Sequence, residues 1–275
     1  FNSITIDGVS VSDTFGLEAN NLPTARQPIS IDAIEEVQIN VSNYDVTQRG
    51  YTGANINAVT KSGTNEFRGS LLYTFRNDSM AGDRFNRTAG TFFDPPESED
   101  TTAGFTFGGP LIKDRLFFFM AYEDTTSSRL GTDLVPLGGN GRQVFITPAD
   151  IAATQQLAQS RYGMDIGLVD VPPQTEITVE DILLKLDWNI ADNHRANLRY
   201  TRTDESTPVF AGFGTTALSL SSHWWTQEKQ FESLVGQWFA DWSDVFSTEF
   251  RVSRREYDSE PNNNSNLPQV AVRFT

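Results

Sequence analysis

The 275-residue sequence contains no cysteine. Disulfide frameworks and thiolate-held metals are therefore excluded, although the compartment is not fixed by that absence. Histidine is almost as scarce, with His194 and His223 the two present, which leaves little material for a His-rich metal centre. Positive charge is outnumbered, 21 Lys and Arg against 36 Asp and Glu, for a net charge of −15. A nucleic-acid partner wants a basic face to meet phosphates, so none is expected. Long hydrophobic runs are missing too. No window approaches the roughly 18 consecutive apolar residues of a spanning helix. A membrane β-barrel stays open, because its signal is alternation over about 10 residues per strand.

What is present is aromatic. Hydrophobic residues make up 38% of the chain and aromatics 12%, with 20 Phe. Modest hydrophobicity with many aromatics suits strands that are half apolar and half polar. From residue 66 the alternation is sustained. In 67–76 the odd positions Phe67, Leu71, Tyr73 and Phe75 are oily, and most even ones are polar. Further strands are expected at about 102–112, 115–124, 177–190, 195–204, 226–242 and 248–258. On the fourth, Ile182, Leu184, Leu186, Trp188 and Ile190 share a face opposite Asp181, Lys185 and Asp187. On the fifth, Ala196, Leu198 and Tyr200 oppose Arg195, Asn197, Arg199 and Thr201; on the sixth, Leu234, Trp238 and Trp242 share a face.

Residues 1–65 read differently, as a small mixed α/β unit. Short strands are expected at 4–9, 37–41 and 53–61. One or two helical turns are expected at 31–37, capped by Ser30 or Asp32. The chain opens on Phe1 and closes on a mid-strand pattern, which reads as a piece of a longer protein.

The connections after residue 66 alternate strictly between short and long. Lys113-Asp114, Ala191–His194 and Ser243–Ser247 are short; about 78–101, 125–176 and 205–222 are long. An antiparallel meander with tight turns at one end and long loops at the other is the pattern of outer-membrane barrels. If residues 1–65 sit at the short-turn end, the first strand runs away from them and its first connection must be long, as it is. The hairpin around Lys113-Asp114 then has a physical reason. Backbone in lipid must be paired within the structure, and side chains turned outward meet hydrocarbon. Leu116, Phe118, Met120 and Tyr122 are expected on the lipid side. Phe117 and Phe119 are expected inside, which makes sense only for a filled lumen. Trp188, Tyr200, Trp238, Trp242 and Tyr122 fall toward strand ends, where aromatic girdles sit.

At this point the residues resemble a known family. Ile31-Asp32-Ala33-Ile34-Glu35-Glu36-Val37-Gln38-Ile39 and Asn55-Ile56-Asn57-Ala58-Val59-Thr60-Lys61-Ser62-Gly63 are similar to the C-terminal half of the plug domain of TonB-dependent outer-membrane receptors. Two departures are specific. Val41–Val46 replaces the family's usual Arg-Gly-Pro, and Ala54-Asn55 replaces a Gly-Gly. These departures, with the stretches 108–123 and 186–195, look like the Oar-like branch. The resemblance implies a 22-stranded plugged barrel in the outer membrane, with residues 1–65 as part of the plug and 66–275 as the first part of the barrel. It also implies energy-coupled transport of an unidentified small molecule, glycan or peptide. Its partners would be outer-membrane lipid and TonB, the latter through an N-terminal segment absent from these residues.

Candidate chemistry is sparse. No nucleophile-and-base motif or phosphate-cradling loop occurs, and no catalytic residue, metal ligand or cofactor is assigned. The acidic stretch Asp94–Asp100 reads as a solvated outer loop, with a hard cation as the alternative. Asp181 with Asp187, or Glu228 with Glu232, would be the carboxylate pairs of an enzyme reading. Thr147 as N-cap and Pro148 at the first position predict a helix over 147–162, a lid or a packed decoration. Tyr44, Arg49 and Tyr51 are the candidate substrate-facing residues; plug-to-barrel hydrogen bonding is their other reading. Two other functions stand beside the receptor: a secreted or surface β-sandwich that binds carbohydrate, and a passive porin-like channel without a plug.

Overall fold

A computed structural model describes residues 2–13, 21–24, 26–41, 53–172 and 174–273. It contains two main sheets. The smaller one takes β1 (Ser3–Ile6), β2 (Val9–Ser10), β3 (Ile34–Asn40) and β4 (Asn55–Thr60) in the order β2-β1-β4-β3. β1 and β4 run parallel, and the other two pairs are antiparallel. Asp7 and Gly8 join β1 to β2, both at positive φ (47° and 76°). Such a two-residue turn needs both centres left-handed, which favours the Asp-Gly pair. The expected helical turns shrink to one 3-10 turn at Ile31–Ala33, where the Ser30 hydroxyl accepts from the Asp32 amide at 3.2 Å.

The larger sheet has seven antiparallel strands, as the alternation predicted. They are β5 (Arg68–Asn77), β8 (Ser98–Ile112), β9 (Leu116–Leu130), β12 (Gln174–Ala191), β13 (His194–Val209), β14 (Trp225–Ser243) and β15 (Phe246–Asn263). Each pairs with the next in sequence, leaving β5 and β15 as edges of an unclosed wall. Between them the long connections hold β6 (Arg84–Asn86) with β7 (Thr91–Phe93), β10 (Leu134–Val135) with β11 (Arg142–Gln143), and α1 (Pro148–Tyr162). α1 starts as predicted, on a capping box between Thr147 and Asp150, and ends on Gly163 at φ 64°.

Most of the strands are longer than the oily alternation suggested, and the long connections correspondingly shorter. β9 continues through Thr125–Arg129 and β13 through Glu205–Val209, mostly polar segments that sequence periodicity assigns to loops. A strand needs only about 9–11 residues to cross the hydrocarbon, so the polar ends carry the wall beyond it. The turn after β8 is also one residue longer than expected. Lys113, Asp114 and Arg115 form it, with Asp114 at φ 65° and a bulge beside Pro110.

Register sorts the outward side chains into rows. Leu116, Trp188, Ala196, Trp238 and Phe250 lie abreast on successive strands; next come Phe118, Leu186, Leu198, Gly236 and Val252. Further along, the row Asp124, Glu180, Asp204, Gln230 and Asp258 is polar throughout. The oily rows are exposed, Leu71 at 90% and Trp188 at 50%, and among the described residues no second sheet covers them. That is incompatible with a β-sandwich, whose apolar faces pack on each other. On β15 the charges begin earlier, at Arg254 and Glu256, because rows of constant register run obliquely when strands tilt. Trp188, Trp238 and Trp242 edge the apolar band near the short turns, with His194 stacked on Trp238 and edge-on to Trp242. Tyr122 and Tyr200 stand at the band's other margin.

The inward face packs on the small sheet. Phe119, Ala121, Leu183 and Phe231 from the wall join Ile6, Val11, Ile29, Ala33 and Ala58 in one buried cluster. Phe119 therefore meets protein and not water, as expected of a filled lumen, while Phe117 is half-buried.

Candidate functional site

Tyr44, Arg49 and Tyr51 lie outside the described residues. The acidic stretch 94–100 does not stay together: β8 begins at Ser98, and the Asp100 carboxylate turns inward to Arg76 (2.5 Å) and Arg129 (2.9 Å). Among the described residues no group of His, Asp and Glu is placed to hold a metal. Asp181 and Asp187 share the inward face, but six residues of strand separate them by about 20 Å. Glu228 and Glu232 are about 13 Å apart on the outer face by the same spacing. Neither pair reaches the roughly 5–10 Å that glycoside hydrolysis needs.

The structure does bring together a polar seam between the small sheet and the wall, and sequence reading did not foresee its partners. Its centre is Thr60, the last residue of β4. Its amide donates to Asp7 Oδ1 and its hydroxyl to Asp7 Oδ2, both at 2.8 Å. Lys185 Nζ, buried on the inner face of β12, donates to the Thr60 hydroxyl (2.9 Å), the Thr60 carbonyl (3.2 Å) and Ser62 Oγ (3.0 Å). Every polar group of Thr60 is thus used. Asp7 also takes Arg199 Nη1 from β13 at 2.5 Å, and Arg199 is 1% exposed.

Two further contacts fasten the turn after β1 and the end of β2. Arg251 Nη1 donates to the Gly8 carbonyl (2.9 Å) and Arg255 Nη1 to the Ser10 carbonyl (2.7 Å). On the opposite side, Ser30 Oγ donates to Glu123 Oε2 (2.6 Å), Ser70 bonds Asp32, and Lys61 Nζ donates to the Asp32 carbonyl (2.7 Å). The linker leaving β4 is pinned at the first short turn: Asn65 Nδ2 donates to Asp114 Oδ1 (2.5 Å), and the Asp114 amide donates back to Asn65 Oδ1 (2.8 Å). The linker thus meets the wall at its short-turn end, as the parity of the connections required.

One signal in the sequence could have found this seam. Lys185 and Arg199 sit at inward positions of otherwise oily strands, and a cation buried there must find a partner. Which partner is a long-range fact: Asp7 is 192 positions from Arg199. Chemically the seam is a set of reversible hydrogen bonds and ion pairs around a small apolar cluster. It suits holding and releasing better than bond-making.

The comparisons agree with this geometry. Residues 59–138 match the family model for an outer membrane beta barrel domain. Over 125 residues the chain is 34% identical to the TonB-dependent transporter Oar of Myxococcus xanthus, a stretch covering 44% of this chain and 11% of that protein. The fold is similar to that of the outer membrane transporter YddB from Escherichia coli, with a TM-score of 0.62 and 13% identity, over 92% of this chain and 30% of that one. At that identity the likeness speaks for the fold alone. The chain spans about a tenth of the length of the Oar transporter and under a third of YddB. Wall, inward packing and relatives together agree on an outer-membrane β-barrel fold, in a chain similar over 125 residues to the TonB-dependent transporter Oar.

Proposed function

We propose that residues 1–65 are part of a plug and residues 66–275 the first part of the barrel of a TonB-dependent transporter, and that substrate passes when the plug shifts. The observation that carries this reading is the seam. A permanent core would be mostly apolar, whereas this one is held largely by polar and charged contacts that can be exchanged for water. Energy coupling would come from TonB, through a segment upstream of these residues, and the role is transport and not catalysis. Tyr44, Arg49 and Tyr51 remain the candidate substrate-facing residues on the sequence reading alone, and the substrate class stays open.

Deleting residues 1–61 from the full-length protein tests the proposal. Bilayer conductance, and sensitivity of cells to a bulky antibiotic, should rise sharply. A passive porin-like channel predicts unchanged conductance, and that result would refute the plug reading.

A further inference from the structure

The attachments between the small sheet and the wall are unequal. On the side of β5, β8, β9 and β12 the contacts are dense and saturated. Lys185 donates to the Thr60 hydroxyl, the Thr60 carbonyl and Ser62 Oγ. Asn65 and Asp114 exchange two hydrogen bonds. Gly63 lies so close to the hairpin that a Cβ there would sit 2.3 Å from the Phe118 carbonyl oxygen. Lys61 adds its amide to the Ala33 carbonyl at 2.9 Å, and the 3-10 turn it touches packs Ala33 against the wall's buried cluster. Three of the four wall residues in that cluster, Phe119, Ala121 and Leu183, come from β9 and β12.

On the side of β13, β14 and β15 the contacts are sparse and under-satisfied. Two arginines hold the Asp7–Gly8 turn, Arg199 through the Asp7 carboxylate and Arg251 through the Gly8 carbonyl, and Arg255 holds the Ser10 carbonyl at the end of β2. Arg199 Nε and Nη2, Thr201 Oγ1 and Ser233 Oγ are buried without a hydrogen-bond partner among the described residues. Thr201 and Ser233 face each other across β13 and β14, next to Arg199 on the same inward face. Buried polar groups left unpaired raise the free energy of the closed state, so they lower the cost of opening at that edge. Among the described residues Asp187 Oδ2 on β12 is in the same condition, as is Asn55 Nδ2 on β4 of the small sheet.

Resting on the plug reading above, we infer that the plug is hinged: the Thr60–Asn65 linker and the 3-10 turn stay with β5 to β12, and the Asp7–Gly8 turn is the edge that leaves the arginines of β13 and β15. Opening then begins by loosening the β1–β2 edge of the small sheet, whose amides bond to Ala58, Asn57 and Ile4, while the linker stays seated, instead of expelling the small sheet as a body. The gap it makes lies along β13 to β15. Asn65 and Lys185 are positioning residues of the fixed side, and Arg251 and Arg255 are the catch.

Native-state hydrogen exchange on the full-length protein in lipid bilayers, at graded denaturant below barrel unfolding, tests this. Sub-global openings appear in order of their free energy. The amides of Asp7, Gly8 and Val11 are expected to exchange at lower denaturant than those of Lys61 and Asp114. Arg251→Met with Arg255→Met should speed the first set about tenfold or more, since each loses a charged hydrogen bond, and leave Lys61 unchanged. Asn65→Ala should speed Asp114 and leave Gly8 unchanged. Simultaneous exchange of both sets, or earlier exchange of Lys61, overturns the hinge. Either failure is independent of the leak test above, which alone decides whether residues 1–65 stopper a pore.

Discussion

Asp7 and Arg199, 192 positions apart, meet at 2.5 Å across the seam, and the two do not depend on each other equally. Arg199 is 1% exposed, and two of its nitrogens already lack partners, whereas the Asp7 side chain is 14% exposed and keeps two hydrogen bonds from Thr60. Removing the charge of Asp7 strands a buried guanidinium, a loss of about 3–5 kcal/mol. Removing Arg199 leaves a carboxylate that is still bonded. Asp7→Asn should therefore destabilise the small sheet more than Arg199→Met. Urea-dependent proteolysis of residues 1–65 in the full-length protein reads both, and equal or reversed effects would contradict the asymmetry.

The outward rows predict a depth profile for charge. Leu184 lies within the apolar band and Ser206 beyond the Asp204 row. An arginine facing lipid near the middle of a barrel costs about 2–4 kcal/mol, falling to about 0–1 near the interface. Leu184→Arg should cost the full-length barrel the larger amount in a lipid-based unfolding titration, and Ser206→Arg almost nothing. Similar costs at both positions would mean that the band is misplaced.

Much of this wall was legible because lipid and lumen write a period of two into each strand. Ile182, Leu184, Leu186 and Trp188 show it in β12 without help from any other strand. Thr125–Arg129 and Glu205–Thr207 show no alternation, because both faces there are polar, and so escape a sequence reading. Their pairing is inherited from neighbours: Thr125 lies opposite Thr102 and Val179, and Glu205 opposite Val179 and Lys229. The first short turn was misjudged by one residue because Asp114 takes a left-handed conformation that Asn65, 49 positions away, helps to hold. The seam was illegible for the same kind of reason. A buried Lys185 announces that a partner exists, but its identity as Thr60 and Ser62 is set by the fold and not by any local pattern.

Helix α1 has no buried residue, so its own caps carry much of its order. The Asp150 carboxylate accepts from the Thr147 amide and hydroxyl, and those bonds lower its pKa from the ordinary carboxylate value. A lowered folded pKa contributes order that is complete above the unfolded value of about 3.9 and is lost as pH falls through the folded one. The first turn of α1 should accordingly fray under acid. Thr147→Ala, which removes the reciprocal bond to the Asp150 amide, should cost about 1 kcal/mol of helix at neutral pH. Isotope-edited infrared spectra of carbonyl-labelled Ala152 and Ala153 report both, and a helical band unchanged by acid and by the substitution would exclude the capping box as the stabiliser.

Gly63 offers the most direct check on how tightly the linker is seated. Its position is governed by approach and not by a special φ. A Cβ there would stand 2.3 Å from the Phe118 carbonyl oxygen and 2.9 Å from that of Gly109. Both are backbone atoms of the wall, which cannot rotate aside as a side-chain tip could. Gly63→Ala should therefore push the linker off the β8–β9 hairpin, at an overpacking cost of about 1–3 kcal/mol. It should also weaken the paired bonds between Asn65 and Asp114, two residues further on. Gly82 is the matched control, since a Cβ there meets nothing within 4 Å. Gly82→Ala should be neutral or stabilising by about 0.4–1 kcal/mol through the unfolded chain alone. Hydrogen exchange at the Asp114 amide separates the two variants, because only the first acts on its acceptor. If Gly63→Ala leaves that amide as protected as Gly82→Ala does, the linker is not packed against the hairpin, and the fixed side of the seam loses its main support.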